Sequence, residues 1–142
     1  MTKFSVHHVS LVVNSIDSSL KFYSVLGFVD KYRFCDAEGN VEIHHLKNTA
    51  FIIELFKYRD CENNFDRDIE DDHKIGIEHF SMQVENIESA YDELANQDIK
   101  ILTPITKGRT GIEYFFICDP DGNRIEIVED KRSFMKVLRE DS

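Results

Sequence analysis

His8 to Tyr23 reads HVSLVVNSIDSSLKFY, and His79 to Leu94 reads HFSMQVENIESAYDEL. Laid together at a spacing of 71 residues (79 − 8), they align His8 with His79, Ser10 with Ser81, Val13 with Val84, Ile16 with Ile87 and Ser18 with Ser89, while Asp17 meets the similar Glu88. Self-similarity of this kind marks a duplicated structural unit. Each copy opens with alternation, which is the period of a strand. Val9, Leu11 and Val13 share one face, with His8, Ser10 and Val12 on the other; Phe80, Met82 and Val84 oppose His79, Ser81 and Gln83. The pattern then lengthens to helical spacing. A helix is predicted near Ile16–Leu26, closed by Gly27, with a stripe of Leu20, Tyr23 and Leu26. A second is predicted near Ile87–Asn96, with Ile87, Tyr91, Leu94 and Ala95 on its apolar side. Helices covering the apolar strand faces leave both histidines on the uncovered, more polar side.

Three further strands are predicted in each half. The first half supplies Phe28–Cys35, Val41–Lys47 and Ala50–Lys57, with turns at Ala37–Asn40 and Lys47–Thr49. The second supplies a short strand at Lys100–Leu102, then Ile112–Cys118 and Arg124–Glu129, the last two joined by Asp119-Pro120-Asp121-Gly122-Asn123, a strong turn sequence. Each half is therefore β-α-β-β-β: module one over residues 4–58, an acidic linker over 59–74, module two over 75–130 and a tail over 131–142, all within one domain. The linker shows no apolar period, and Ser133–Arg139 has the spacing of a short amphipathic helix.

Within the first half, Ala50 to Phe56 reads AFIIELF, six apolar residues around one carboxylate. An ionised carboxylate in such a strand requires an ion pair, hydrogen bonds or a metal. Its counterpart is Glu126 of RIEIV, which also stands beside Arg124, a possible ion-pair partner. His7 is an alternative to His8 as a functional imidazole, but the repeat and the strand face favour His8. His44, His45 and His73 have no counterparts and read as surface or substrate-side residues.

The chain has 142 residues, 42% hydrophobic and 31% charged, which fits one compact domain and no membrane span. A formal charge of −10 argues against nucleic acid or an acidic membrane as partner. The opening MTKFSVHH is too short and polar for a secretory signal, and Cys35, Cys61 and Cys118 form no CxxC pair, so a reducing, cytoplasmic setting is expected.

The segments HHVSLVV, SLKFYSVLGF, AFIIELF, IEHFSMQV and FFICDPDGNRIEIVE together resemble the glyoxalase I / vicinal oxygen chelate superfamily over roughly residues 4–130. The resemblance implies an α+β fold in which two β-α-β-β-β modules form a U-shaped, barrel-like mixed sheet. It also implies one divalent metal per site, held by His8, Glu54, His79 and Glu126. Two imidazoles and two carboxylates suit a borderline ion such as nickel, cobalt, zinc or manganese. The implied activity is that of a glyoxalase I-like lyase (lactoylglutathione lyase type): a 2-oxoaldehyde–thiol hemithioacetal is isomerised to a hydroxyacyl thioester through a metal-stabilised enediolate. Glu126 is then the base, with Glu54 able to act on the opposite face. Glutathione-using members carry an Arg and an Asn clamp where this chain has Val12 and Tyr58, which speaks against glutathione itself and leaves another thiol or a thiol-free substrate. Arg109, in KGRTG, reads as a solvated loop residue or as an anion contact at the pocket mouth. Rival readings are a methylmalonyl-CoA-epimerase-like enzyme and a non-enzymatic drug-binding resistance protein. A homodimer acting on a small molecule is expected, with module swapping left open.

Overall fold

The computed structural model describes residues 1–60 and 75–132. The chain divides into two compact units, Met1–Asp66 and Arg67–Ser142. The first contains β1 (His8–Val12), α1 (Ile16–Val25), β2 (Val29–Cys35), β3 (Val41–Asn48) and β4 (Phe51–Tyr58). The second contains β5 (Phe80–Gln83), α2 (Ile87–Ala95), β6 (Thr106–Lys107), β7 (Ile112–Cys118) and β8 (Arg124–Asp130). Their four-stranded mixed sheets share one topology: β1-β4-β3-β2 in the first and β5-β8-β7-β6 in the second. In each, the opening strand runs parallel to the last one and the remaining pairs are antiparallel. The class is α+β, built from two β-α-β-β-β modules.

Both helices start the same way. The Ser15 side chain accepts from the Ser18 N–H and the Asn86 side chain from the Ser89 N–H, at equivalent places in the repeat. Their ends also correspond, with Gly27 at φ 86° and Asp98 at φ 57°, the left-handed turn that unwinds a helix. Asn48, at the end of β3, donates from Nδ2 to the Leu26 carbonyl at 2.8 Å and so ties the C-terminal end of α1 to its sheet. The buried face of α1 consists of Ile16, Ser19, Phe22 and Tyr23, rather than the expected stripe through Leu20 and Leu26, which are half-buried. Tyr23 is buried as expected, and its ring meets Phe22 and Phe28 edge-on at 5.0 and 5.7 Å. On α2, Ile87 and Leu94 are buried while Ala95 is exposed.

The cores follow the alternation. Val13, Tyr23, Leu46, Ile53 and Leu55 are buried in the first unit, and Phe115, Ile117, Ile125 and Ile127 in the second. Each such side chain contributes roughly 1.5–3 kcal/mol by leaving water. His44 departs from its expected surface role. It shares the buried side of β3 with Leu46, is 4% exposed, and its two ring nitrogens lie 2.8 Å from Asp30 and from Glu42. Those two carboxylates give a buried ring the polar partners it needs.

The short strand expected at Lys100–Leu102 is reduced to a single bridge between Ile101 and Ile117. The segment does follow β7: the Leu102 N–H donates to the Phe116 carbonyl, and Thr103 Oγ1 accepts from the Phe116 N–H. Pro104 has no N–H to extend the ladder, which resumes only at β6. Cys35 is exposed and Cys118 buried, both as free thiols. Cys61, His73, most of the linker and the expected tail helix lie outside the described residues. Among the described residues, no helix is long and apolar enough to cross a membrane.

The β7–β8 turn is organised by Asp119, 3% exposed. Its Oδ1 accepts from the Asp121 and Asn123 backbones at 3.0 and 2.8 Å, and its Oδ2 from Asn123 Nδ2 at 2.9 Å. Asp119→Ala leaves those donors unpaired and is expected to cost about 2–3 kcal/mol, measured as a lower urea midpoint with an unchanged m-value.

Candidate metal centre

In the parallel pair β1–β4, Ser10 lies opposite Glu54; in β5–β8, Ser81 lies opposite Glu126. The duplication extends to atoms. Ser10 Oγ donates to Glu54 Oε1 at 2.6 Å, and Ser81 Oγ donates to Glu126 Oε1 at 2.7 Å. Each carboxylate emerges on the side opposite the buried isoleucines and leucines of its strand, with 17% and 14% of its side chain exposed. The histidines come up beside them. His8 Nε2 lies 3.4 Å from Glu54 Oε1, and His79 Nε2 lies 3.8 Å from Glu126 Oε2. Each unit thus presents one imidazole nitrogen and one carboxylate side by side.

Two donors sharing one ion at bonds of about 2.1 Å stand roughly 3.0–3.4 Å apart. The first pair fits that edge and the second is slightly wide. Among the described residues, no three His, Cys, Asp or Glu side chains form a metal-holding group. Each unit supplies a pair.

The surroundings of the two pairs differ. In register, Glu54 faces His45 on β3, whereas Glu126 faces Phe116 on β7. His45 Nε2 is 2.7 Å from Glu54 Oε2, so Glu54 is held at both oxygens. Partial burial pushes the Glu54 carboxyl up, but hydrogen bonds from Ser10 and His45 and the nearby charge of both histidines outweigh it. The group lies below the ordinary carboxylate value. Arg124, the neighbour that could have neutralised Glu126, instead pairs with Glu78, Nε to Oε1 at 2.9 Å, and lies 4.3 Å over the Phe116 ring. The residue before each histidine also touches it: His7 Nδ1 is 2.8 Å from His8 Nδ1, and Glu78 Oε2 bonds His79 Nδ1. His7 therefore stands in contact with His8.

Val12 and Tyr58 are exposed on the open side of the first sheet, Tyr58 stacked on Phe56 at 5.9 Å. Arg109 is exposed in the loop between β6 and β7. Sequence reasoning aligned Ser10 with Ser81 without seeing their task, and it missed His45 and Glu78. The signal for Ser was present, since a hydroxyl at the same strand position in both copies had no core function to serve.

The family model described as the Glyoxalase/Bleomycin resistance protein/Dioxygenase superfamily matches residues 5–127. The chain belongs to this superfamily. The Bacillus subtilis (strain 168) protein YwkD is 27% identical to this chain over 127 residues, covering 88% of this chain and 96% of YwkD. A glyoxalase family protein from Enterococcus faecalis superposes with a TM-score of 0.74 at 26% identity, covering 88% of this chain and 97% of that one. The trypanothione-dependent glyoxalase I of Leishmania major shares the fold, with a TM-score of 0.70 at 20% identity over 98% of this chain and 95% of its own.

Because its folded value is lowered, Glu54 contributes stability that is present above the ordinary carboxylate value and lost as pH falls through the lowered one. In metal-free protein, NMR titration is expected to put Glu54 below an exposed glutamate, and Ser10→Ala is expected to move it upward. An unmoved midpoint in the variant would remove Ser10 from the account.

Proposed function

We propose that the protein is a metal-dependent glyoxalase I-like lyase that isomerises a 2-oxoaldehyde–thiol hemithioacetal to a hydroxyacyl thioester, and that His8, Glu54, His79 and Glu126 together hold one divalent ion. The observation that carries this reading is the duplicated Ser–Glu–His arrangement, in which each carboxylate is fixed by a serine beside an imidazole nitrogen. A divalent ion there supplies Lewis acidity, polarising adjacent substrate oxygens and stabilising negative charge beside them. Nickel, cobalt, zinc and manganese all suit the donor set.

The chain's own groups divide the proton work. Glu54, bonded at both oxygens by Ser10 and His45, is a restrained ligand. Glu126 is bonded by Ser81 at one oxygen and faces an aromatic ring in register, which makes it the less restrained carboxylate and the better placed to take a proton from the carbon beside the sulfur. The same carboxyl returns the proton to the neighbouring carbon. Substrate selection favours a thiol without a carboxylate to be gripped by residues 12 and 58. Val12 and the Tyr58–Phe56 stack give the open side of the first sheet an apolar and aromatic character instead. A cytoplasmic homodimer, in which the four ligands come from one chain or from two, completes the proposal.

Purified protein is expected to carry one divalent ion per site and to convert methylglyoxal with at least one of a panel of thiols, but to leave methylmalonyl-CoA unepimerised. Glu126→Gln should lower kcat by about 10²-fold or more, the scale of general-base catalysis, with a far smaller loss of metal. Equal loss of both would count against Glu126 as the base. Metal-free protein that binds a cationic glycopeptide stoichiometrically would replace the enzyme with a binder.

A further inference from the structure

Residues 7 and 78 occupy the same place in the two copies, each just before its histidine, yet one is His and the other Glu. Positions 52 and 124 also correspond, as Ile52 and Arg124. These two departures from the repeat meet in space. Arg124 Nε and Glu78 Oε1 are 2.9 Å apart and both atoms are shielded from water, while Glu78 Oε2 bonds His79 Nδ1. Phe116 closes the group, with its ring 5.0 Å edge-on from that of His79 and 4.3 Å beneath the Arg124 guanidinium. In the first copy His8 Nδ1 faces the exposed ring of His7, and the position of the arginine is apolar.

From this we infer that Glu78, anchored by Arg124, is a positioning residue that fixes the tautomer and ring orientation of His79 as a metal-binding imidazole. The inference rests on the proposed metal site and deepens it. An ionised carboxylate only accepts hydrogen bonds, so the His79 nitrogen facing it carries the proton. In the neutral ring, Nε2 then keeps its lone pair on the side of Glu126. A carboxylate behind a histidine also raises its strength as a ligand. Contact between two imidazoles sets no such direction, because either ring can be the donor. The two copies therefore differ in kind: His79 is a preset ligand, and His8 becomes oriented only when an ion arrives. The Arg124 ion pair keeps Glu78 in place without drawing on Glu126.

The test uses the full chain stripped of metal, with zinc affinity measured by competition against a chromophoric chelator and the His79 tautomer read from ring-nitrogen NMR shifts before zinc is added. Glu78→Ala is expected to weaken zinc binding 10- to 100-fold and to abolish the single Nδ1–H form of His79. Glu78→Gln retains an acceptor oxygen and should recover most of both, which a purely structural role for the side chain would not produce. His7→Ala should change affinity less than threefold. His79→Ala is the control for the ligand itself. If the wild type takes up no zinc, cobalt or nickel, the metal reading falls. If the wild type binds an ion, and Glu78→Ala and Glu78→Gln match it in affinity and tautomer, the site stands and the role of Glu78 is overturned.

Discussion

A carboxylate in the middle of an apolar strand is the constraint around which each half of this protein is organised. Leaving water costs an ionised glutamate several kcal/mol unless hydrogen bonds replace the lost hydration. Here the replacement is local and repeated: a serine from the adjacent parallel strand donates to Oε1, across β1–β4 in one unit and β5–β8 in the other. That bond requires a register in which Ser10 meets Glu54 and Ser81 meets Glu126. A slip of one residue would turn each glutamate into the core and each isoleucine into water. The buried faces of β4 and β8, with Ile53, Leu55, Ile125 and Ile127, hold the same register from the other side.

Helix capping and turn chemistry serve that register. Ser15 and Asn86 begin the helices at equivalent points, so the chain leaves each edge strand along the same path. Asn48 holds the end of α1 against its sheet, and Asp119 folds the loop that brings β8 alongside β7. The polar side that results carries a histidine beside each glutamate, and duplicated imidazole–carboxylate pairs are the kind of donor set a divalent ion requires. The superfamily to which the chain belongs includes glyoxalases and dioxygenases among its members.

Duplication produces likeness, and the copies diverge in the neighbours of the repeated side chains. His45 stands where the second unit has Phe116, and His7 with Ile52 where it has Glu78 with Arg124, so Glu54 is bonded at both oxygens and His79 meets a carboxylate. These differences are contacts made directly to Glu54 and to His79 by neighbouring side chains.

By itself the sequence determined the repeat, the order of all but one short strand, the α+β class and the recurrence of a His and a Glu at matching strand positions in each copy. Those follow from local periodicity and from a spacing of 71 residues that needs no knowledge of contacts. Only the tertiary structure decided which neighbours each side chain meets. Helix rotation kept Tyr23 of the expected stripe in the core and put Phe22 there in place of Leu20, the two rings meeting edge-on. Cross-strand register sent His44 inward and His45 to Glu54, a difference invisible in two adjacent identical letters. Arg124 chose Glu78 over Glu126, since an ion pair depends on distance in space and the sequence carries only distance along the chain.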